Sequence, residues 1–116
     1  MSLNTAVNYD RDKNAWVIKL DGEVDIYTSP KMKEVLIDSL KEKNIDILID
    51  CSNLEYVDST GLGVLISVLK RVRESENKII ITNLKPNIRK LFDITGLDKV
   101  FLIEEWLIWK GIWLNL

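Results

Sequence analysis

Tyr56-Val57-Asp58-Ser59-Thr60-Gly61-Leu62-Gly63 is the stretch on which the fold of this chain turns, because the hydrophobic period changes across it. Upstream, Ile45, Ile47 and Ile49 alternate with Asp46, Leu48 and Asp50, a β-branched run that predicts a central strand ending before the Ser59 loop. Downstream, the period becomes helical from Gly61 to about Glu76. Leu62, Leu65, Ile66, Leu69 and Val72 form one stripe, with Lys70, Arg71 and Glu74 largely opposite. Ser59 therefore stands where a strand-following loop enters a helix, beside unpaired N–H groups and the positive end of the helix dipole. Such a place favours an anion.

The same residues also read as plain capping chemistry, since Asp, Ser and Thr are all preferred at helix N-caps. Gly61 and Gly63 weaken a helix by about 1 kcal/mol each, so two in the first turn point to a tight turn, a close approach or a partner-facing start. Val64 and Val68 fall outside the apolar stripe. They are either an exposed contact for a partner or covered by a neighbouring helix.

Working outward, Val7 and Tyr9, then Trp16, Ile18 and Leu20, alternate with polar residues around the turn Asp10-Arg11-Asp12-Lys13-Asn14, which predicts an opening hairpin. After Gly22 and Glu23-Val24-Asp25-Ile26-Tyr27, Ser29 can cap a helix and Pro30 suits its first position. Met32, Val35, Leu36 and Leu40 mark one face of that helix to about Asn44. Lys78 to Thr82 predicts a short strand. Pro86 to Thr95 predicts a helix with Ile88, Leu91 and Phe92 inward and Gly96 as its stop, and Val100 to Ile103 a last strand. The order β-β-α-β-α-β-α-β plus a C-terminal tail specifies an α/β protein, a mixed sheet with helices packed against it through parallel crossovers.

Composition narrows the chemistry. The chain has 116 residues, room for one domain spanning 1–116. A net charge of −2 with scattered lysines offers no field for nucleic acid. With no histidine a Ser-His-Asp triad is impossible, and only Asp25, Asp58 or a desolvated lysine could activate Ser59 as a nucleophile. The expectation is a non-enzymatic protein without cofactor or metal. Walker and dinucleotide-binding glycine patterns are missing. The single cysteine, Cys51, reads as a buried strand-end residue, and the lack of a disulfide framework or visible signal peptide suggests a cytoplasmic setting.

Asp21-Gly22-Glu23-Val24-Asp25, together with Val57-Asp58-Ser59-Thr60-Gly61-Leu62-Gly63-Val64-Leu65 opening a helix, resembles the STAS family, specifically the bacterial anti-sigma-factor antagonists. The resemblance covers about residues 4–103 and implies a STAS-like fold. It implies that Ser59 is phosphorylated by an anti-sigma factor that is also a serine kinase, and that a serine phosphatase removes the phosphate. The unphosphorylated form would bind the anti-sigma factor and release the sigma factor. It further implies that Asp25 lies near Ser59 and the kinase contact, with Asp58, Thr60, Gly61, Val64 and Val68 as the other partner-binding candidates. The alternative is a constitutive STAS scaffold in a signalling or lipid-transport assembly, docking through the same helix.

Residues 104–116 depart from that family's usual polar ending and carry three of the four tryptophans. The apolar run Trp106 to Leu116 is shorter than the roughly 20 residues that span a bilayer. It reads as packing back on the sheet, as an interfacial membrane contact or as a self-association surface.

Overall fold

The polar run after Asp10 reverses the chain as expected. The Asp10 carboxylate accepts from Lys13 N at 3.0 Å, and Asn14 takes a left-handed φ of 51° that asparagine tolerates. In the computed structural model, which describes residues 2–104, this turn joins β1 (Leu3–Asp10) to β2 (Ala15–Val24) in unbroken antiparallel register. Then follow α1 (Ser29–Glu42), β3 (Asp46–Val57), α2 (Ser59–Glu74), β4 (Ile79–Thr82), α3 (Pro86–Thr95), a 3-10 turn (Leu97–Lys99) and β5 (Leu102–Glu104). The tail and its suggested self-association through Trp106–Leu116 lie outside the described residues.

The five strands lie in the order β1-β2-β3-β4-β5, with every pair after the hairpin parallel. Each crossover advances one strand in the same direction, and the right-handed rule then sends α1, α2 and α3 to one face of the sheet. The register agrees. Trp16, Ile47 and Ile79 line up across three strands, as do Ile18, Ile49 and Ile81, and all six are buried in one core with Met32, Leu36, Leu65, Leu69, Ile88 and Phe92 from the helices. Alternate residues point the other way, and there burial declines from Leu48 through Ile80 to the exposed Leu102.

The central strand is longer than its alternating half predicts. Beyond Asp50 the pattern of β3 is polar and irregular, yet pairing with β2 continues through two register shifts, at Lys19/Asp21 and Gly22/Glu23, to Val24↔Val57. Bulges absorb the loss of strict alternation. Gly22 makes this possible: its φ is +122°, and a Cβ there would stand 2.2 Å from the Ser2 carbonyl oxygen, which accepts from Glu23 N.

For Val68 the reading as a partner contact is overturned, and burial by a neighbouring helix holds. Val68 has no exposed surface, whereas Ile66, assigned to the inner stripe, is only half-buried. The helix packs against both the sheet and α1, so its buried arc widens to include the line Gly61, Leu65, Val68 and Val72. Val68 is core and unavailable to a partner. Val64 is half-buried and packs against the core margin. Val68→Asp therefore strands a charge in the core at a cost of roughly 3–5 kcal/mol. Val64→Asp costs about 1 kcal/mol or less. Urea unfolding of the two variants measures the contrast, and equal midpoints would contradict this packing.

Candidate functional site

The extended pairing of β2 with β3 brings two loops to the same end of the sheet. Val24 and Val57 are register partners, Asp58 N donates to the Val24 carbonyl at 3.1 Å, and the residues that follow them, Asp25 and Asp58, open neighbouring loops. In parallel α/β sheets this carboxyl end of the strands is where binding sites collect. The two motifs, more than thirty positions apart in sequence, thus become one surface.

Gly61 keeps them together. It is buried, and a Cβ on it would stand 2.6 Å from Val24 Cγ1 and 2.7 Å from Val57 Cγ2, closer than real side-chain contacts allow. The start of α2 is pressed against both strands, and only glycine permits that approach. Gly63 differs: nothing lies within 4 Å of the Cβ it lacks. The first glycine is a packing requirement and lies too deep for a partner to touch. The second faces open space.

Asp58, not Ser59, is the N-cap of α2. Its Oδ1 accepts from Thr60 N at 2.9 Å, from Gly61 N at 3.1 Å and from the Thr60 hydroxyl at 2.5 Å. The bond from the Thr60 hydroxyl and then that from Gly61 N hold the Asp58 carboxyl below the usual carboxylate range, against a smaller opposing effect of desolvation. Ser59 is the first helical residue and is exposed, and its hydroxyl has no hydrogen-bond partner among the described residues. Capping and an available hydroxyl therefore fall to neighbouring residues. Thr60 is exposed as well, but its hydroxyl is engaged by the cap.

Asp25 is not a solvent-facing loop residue. It is 6% exposed, and its Oδ1 accepts from Tyr27 N and Thr28 N, both at 2.9 Å, with the Thr28 hydroxyl 3.1 Å away. That hydroxyl also donates to the Glu23 carbonyl at 2.8 Å and accepts from Asp25 N at 2.9 Å. Burial opposes ionisation of Asp25. The bonds from Thr28 and Tyr27 outweigh both burial and the nearby Asp58 charge, and leave the carboxyl below its ordinary range. Ser29 was the expected cap of α1. Thr28 occupies that position instead, and its hydroxyl is spent on the loop rather than on the helix.

Ile26 and Tyr27, not singled out from the sequence, stand on this loop as its most exposed apolar side chains, at 62% and 86%. The clue was present: two large apolar residues between an aspartate and a helix start, with no periodicity to assign them inward. Cys51 lies well inside β3, not at its end. Burial, together with the Asp50 charge, pushes its thiol up to about 12, so it is no nucleophile. No metal-binding cluster occurs among the described residues. Nor is any described helix long and apolar enough to cross a membrane.

Both depressed carboxylates contribute stability that is complete above the unfolded aspartate value of 3.8 and is lost as pH falls through their lower folded values. Stability is thus expected to be level near neutrality and to fall below about pH 4. Carboxyl-carbon NMR titration is expected to show Asp25 and Asp58 protonating at lower pH than an aspartate in the unfolded chain. Gly61→Ala is expected to cost roughly 1–3 kcal/mol by overpacking and to shift the amide resonances of residues 58–61. Unchanged thermal stability would mean that the close approach is absent.

The same fold recurs in known proteins. The family model described as the STAS domain matches residues 6–108. An anti-sigma-B factor antagonist of Staphylococcus epidermidis is 36% identical over 88 residues, covering 76% of this chain and 82% of that protein. Among solved structures, an anti-sigma factor antagonist from Mycobacterium paratuberculosis superposes with a TM-score of 0.77 at 26% identity, covering 88% of this chain and 85% of the other. Bacillus SpoIIAA in its phosphorylated form shares the fold, with a TM-score of 0.67 at 20% identity and coverage of 87% and 91%. The family match over residues 6–108 and the 36% identity to a relative matched over 76% of this chain decide the matter: the chain belongs to the STAS domain family.

Proposed function

We propose that this protein is an anti-sigma-factor antagonist and that Ser59 is its phosphoacceptor. In the unphosphorylated form it binds an anti-sigma factor with serine kinase activity and so releases the sigma factor. Phosphorylation of Ser59 ends that binding, and a serine phosphatase restores it. The observation that carries this reading is the division of labour at the start of α2. Asp58 and Thr60 complete the cap between themselves, leaving Ser59 exposed with a hydroxyl free to meet a kinase. The relatives' names supply the class of partner.

The physical effect of modification follows from the charges already there. A phosphate adds about 1.5–2 negative charges to a surface holding the ionised Asp58 and Asp25. The helix dipole tolerates it, and the cap does not depend on the hydroxyl that is consumed. A partner fitted to a neutral serine must instead desolvate a dianion beside two carboxylates. A differential of about 2.7 kcal/mol lowers affinity roughly a hundredfold.

The test is incubation with the purified anti-sigma factor kinase and ATP, followed by mass spectrometry and calorimetry. One phosphate on Ser59 is expected, retained in Thr60→Ala and lost in Ser59→Ala, with binding weakened by about two orders of magnitude after modification. A protein that takes no phosphate, or takes it only on Thr60, overturns the assignment. Full binding by Ser59→Asp would instead identify a constitutive scaffold.

A further inference from the structure

We infer that Ile26 and Tyr27 are the apolar anchor of the partner interface, and that Asp25 serves it from beneath as a positioning residue. This rests on the proposed function, because the occupant is the anti-sigma factor.

Tyr27 is 86% exposed and Ile26 62%, the largest exposures recorded for described large hydrophobic residues except Ile94. Single exposed apolar side chains are ordinary, but two large ones adjacent on one loop make a contiguous apolar patch, the kind of feature that marks an interaction site. Their location is specific. Val24, one residue before the loop, touches the start of α2 at Gly61, and Asp25 feels the charge of Asp58, so the pair flanks the turn that carries Ser59. Ile94 is at the far end of α3, remote in sequence from both loops.

The loop is also pre-shaped. Asp25 Oδ1 accepts from Tyr27 N and Thr28 N, while the Thr28 hydroxyl accepts from the Asp25 amide and shares its single proton between the Glu23 carbonyl at 2.8 Å and Asp25 Oδ1 at 3.1 Å. All three of these contacts to the Asp25 carboxylate fall on Oδ1, which turns inward to the loop and makes Asp25 a positioning residue. It fixes the backbone from which Ile26 and Tyr27 project. Ordering before binding lowers the entropy cost of association, and tyrosine gives large contact area for few rotatable bonds.

The occupant is therefore an apolar cleft on the anti-sigma factor, one that closes over Ser59 while its hydroxyl is uncharged. The apolar anchor supplies affinity that does not depend on salt.

The experiment is calorimetry with the purified anti-sigma factor and the full-length protein. Tyr27→Ala is expected to weaken binding about thirtyfold or more, and Ile26→Ser about tenfold. Tyr27→Phe is expected to remain within about threefold of the parent protein, since the anchor is the ring. Asp25→Asn is expected to weaken binding through the loop, with the Tyr27 amide resonance displaced and the thermal midpoint within a few degrees of the parent. Because Ile26 and Tyr27 are exposed, none of their variants threatens folding. If the parent protein binds and Tyr27→Ala and Ile26→Ser bind equally well, the anchor is refuted while the proposed function stands. If the parent protein does not bind, both fall.

Discussion

The contact between Gly61 and the paired valines Val24 and Val57 is the constraint on which the functional end of this protein depends. It seats the first turn of α2 directly on the ends of two strands, with no side chain between. Everything distinctive about the site is measured from there. Asp58 lies one residue beyond Val57 and Asp25 one beyond Val24, so the two loops open level with one another. A helix held a methyl group further away would carry the same motif residues on a first turn lifted off the two strands.

Two aspartates then do similar physical work in different loops. Each collects backbone N–H groups and one threonine hydroxyl, and each is held ionised by those donors rather than by a cation. Asp58 starts a helix, and Asp25 folds a short turn. Their charges repel mildly, a strain that the surrounding hydrogen bonds outweigh. The result is a rigid rim with one free hydroxyl and two projecting apolar side chains.

Much of the architecture was legible because its signals are local. The alternation of Ile45, Ile47 and Ile49, the Pro30 and Pro86 helix starts and the Gly96 stop each carry their own physical cause, and the order of elements follows from them. What escaped was set by tertiary contact. Val68 looked peripheral because a single-stripe view of α2 ignores α1, which covers a second flank. The second half of β3 hid because bulges, not alternation, keep it paired. At the site, Ser59, Asp58 and Asp25 could be named from their motifs. Their division of labour could not, since serine, aspartate and threonine compete for one capping role and only coordinates reveal which oxygen accepts. Tyr27 went unremarked because an apolar residue in a loop has no period to betray it.

The separation of cap and free hydroxyl onto adjacent residues has a consequence for how such a molecule stores a signal. Were the modified residue also the cap, writing the mark would unpick a helix, and the marked form would be the one more exposed to proteases and chaperones. With Ser59 as the proposed acceptor, a mark would be written beside the structural joint, so the record would be kept on the surface and not in the fold. The two forms would then persist side by side with similar lifetimes, and their ratio would report the enzymes that write and erase, undistorted by turnover.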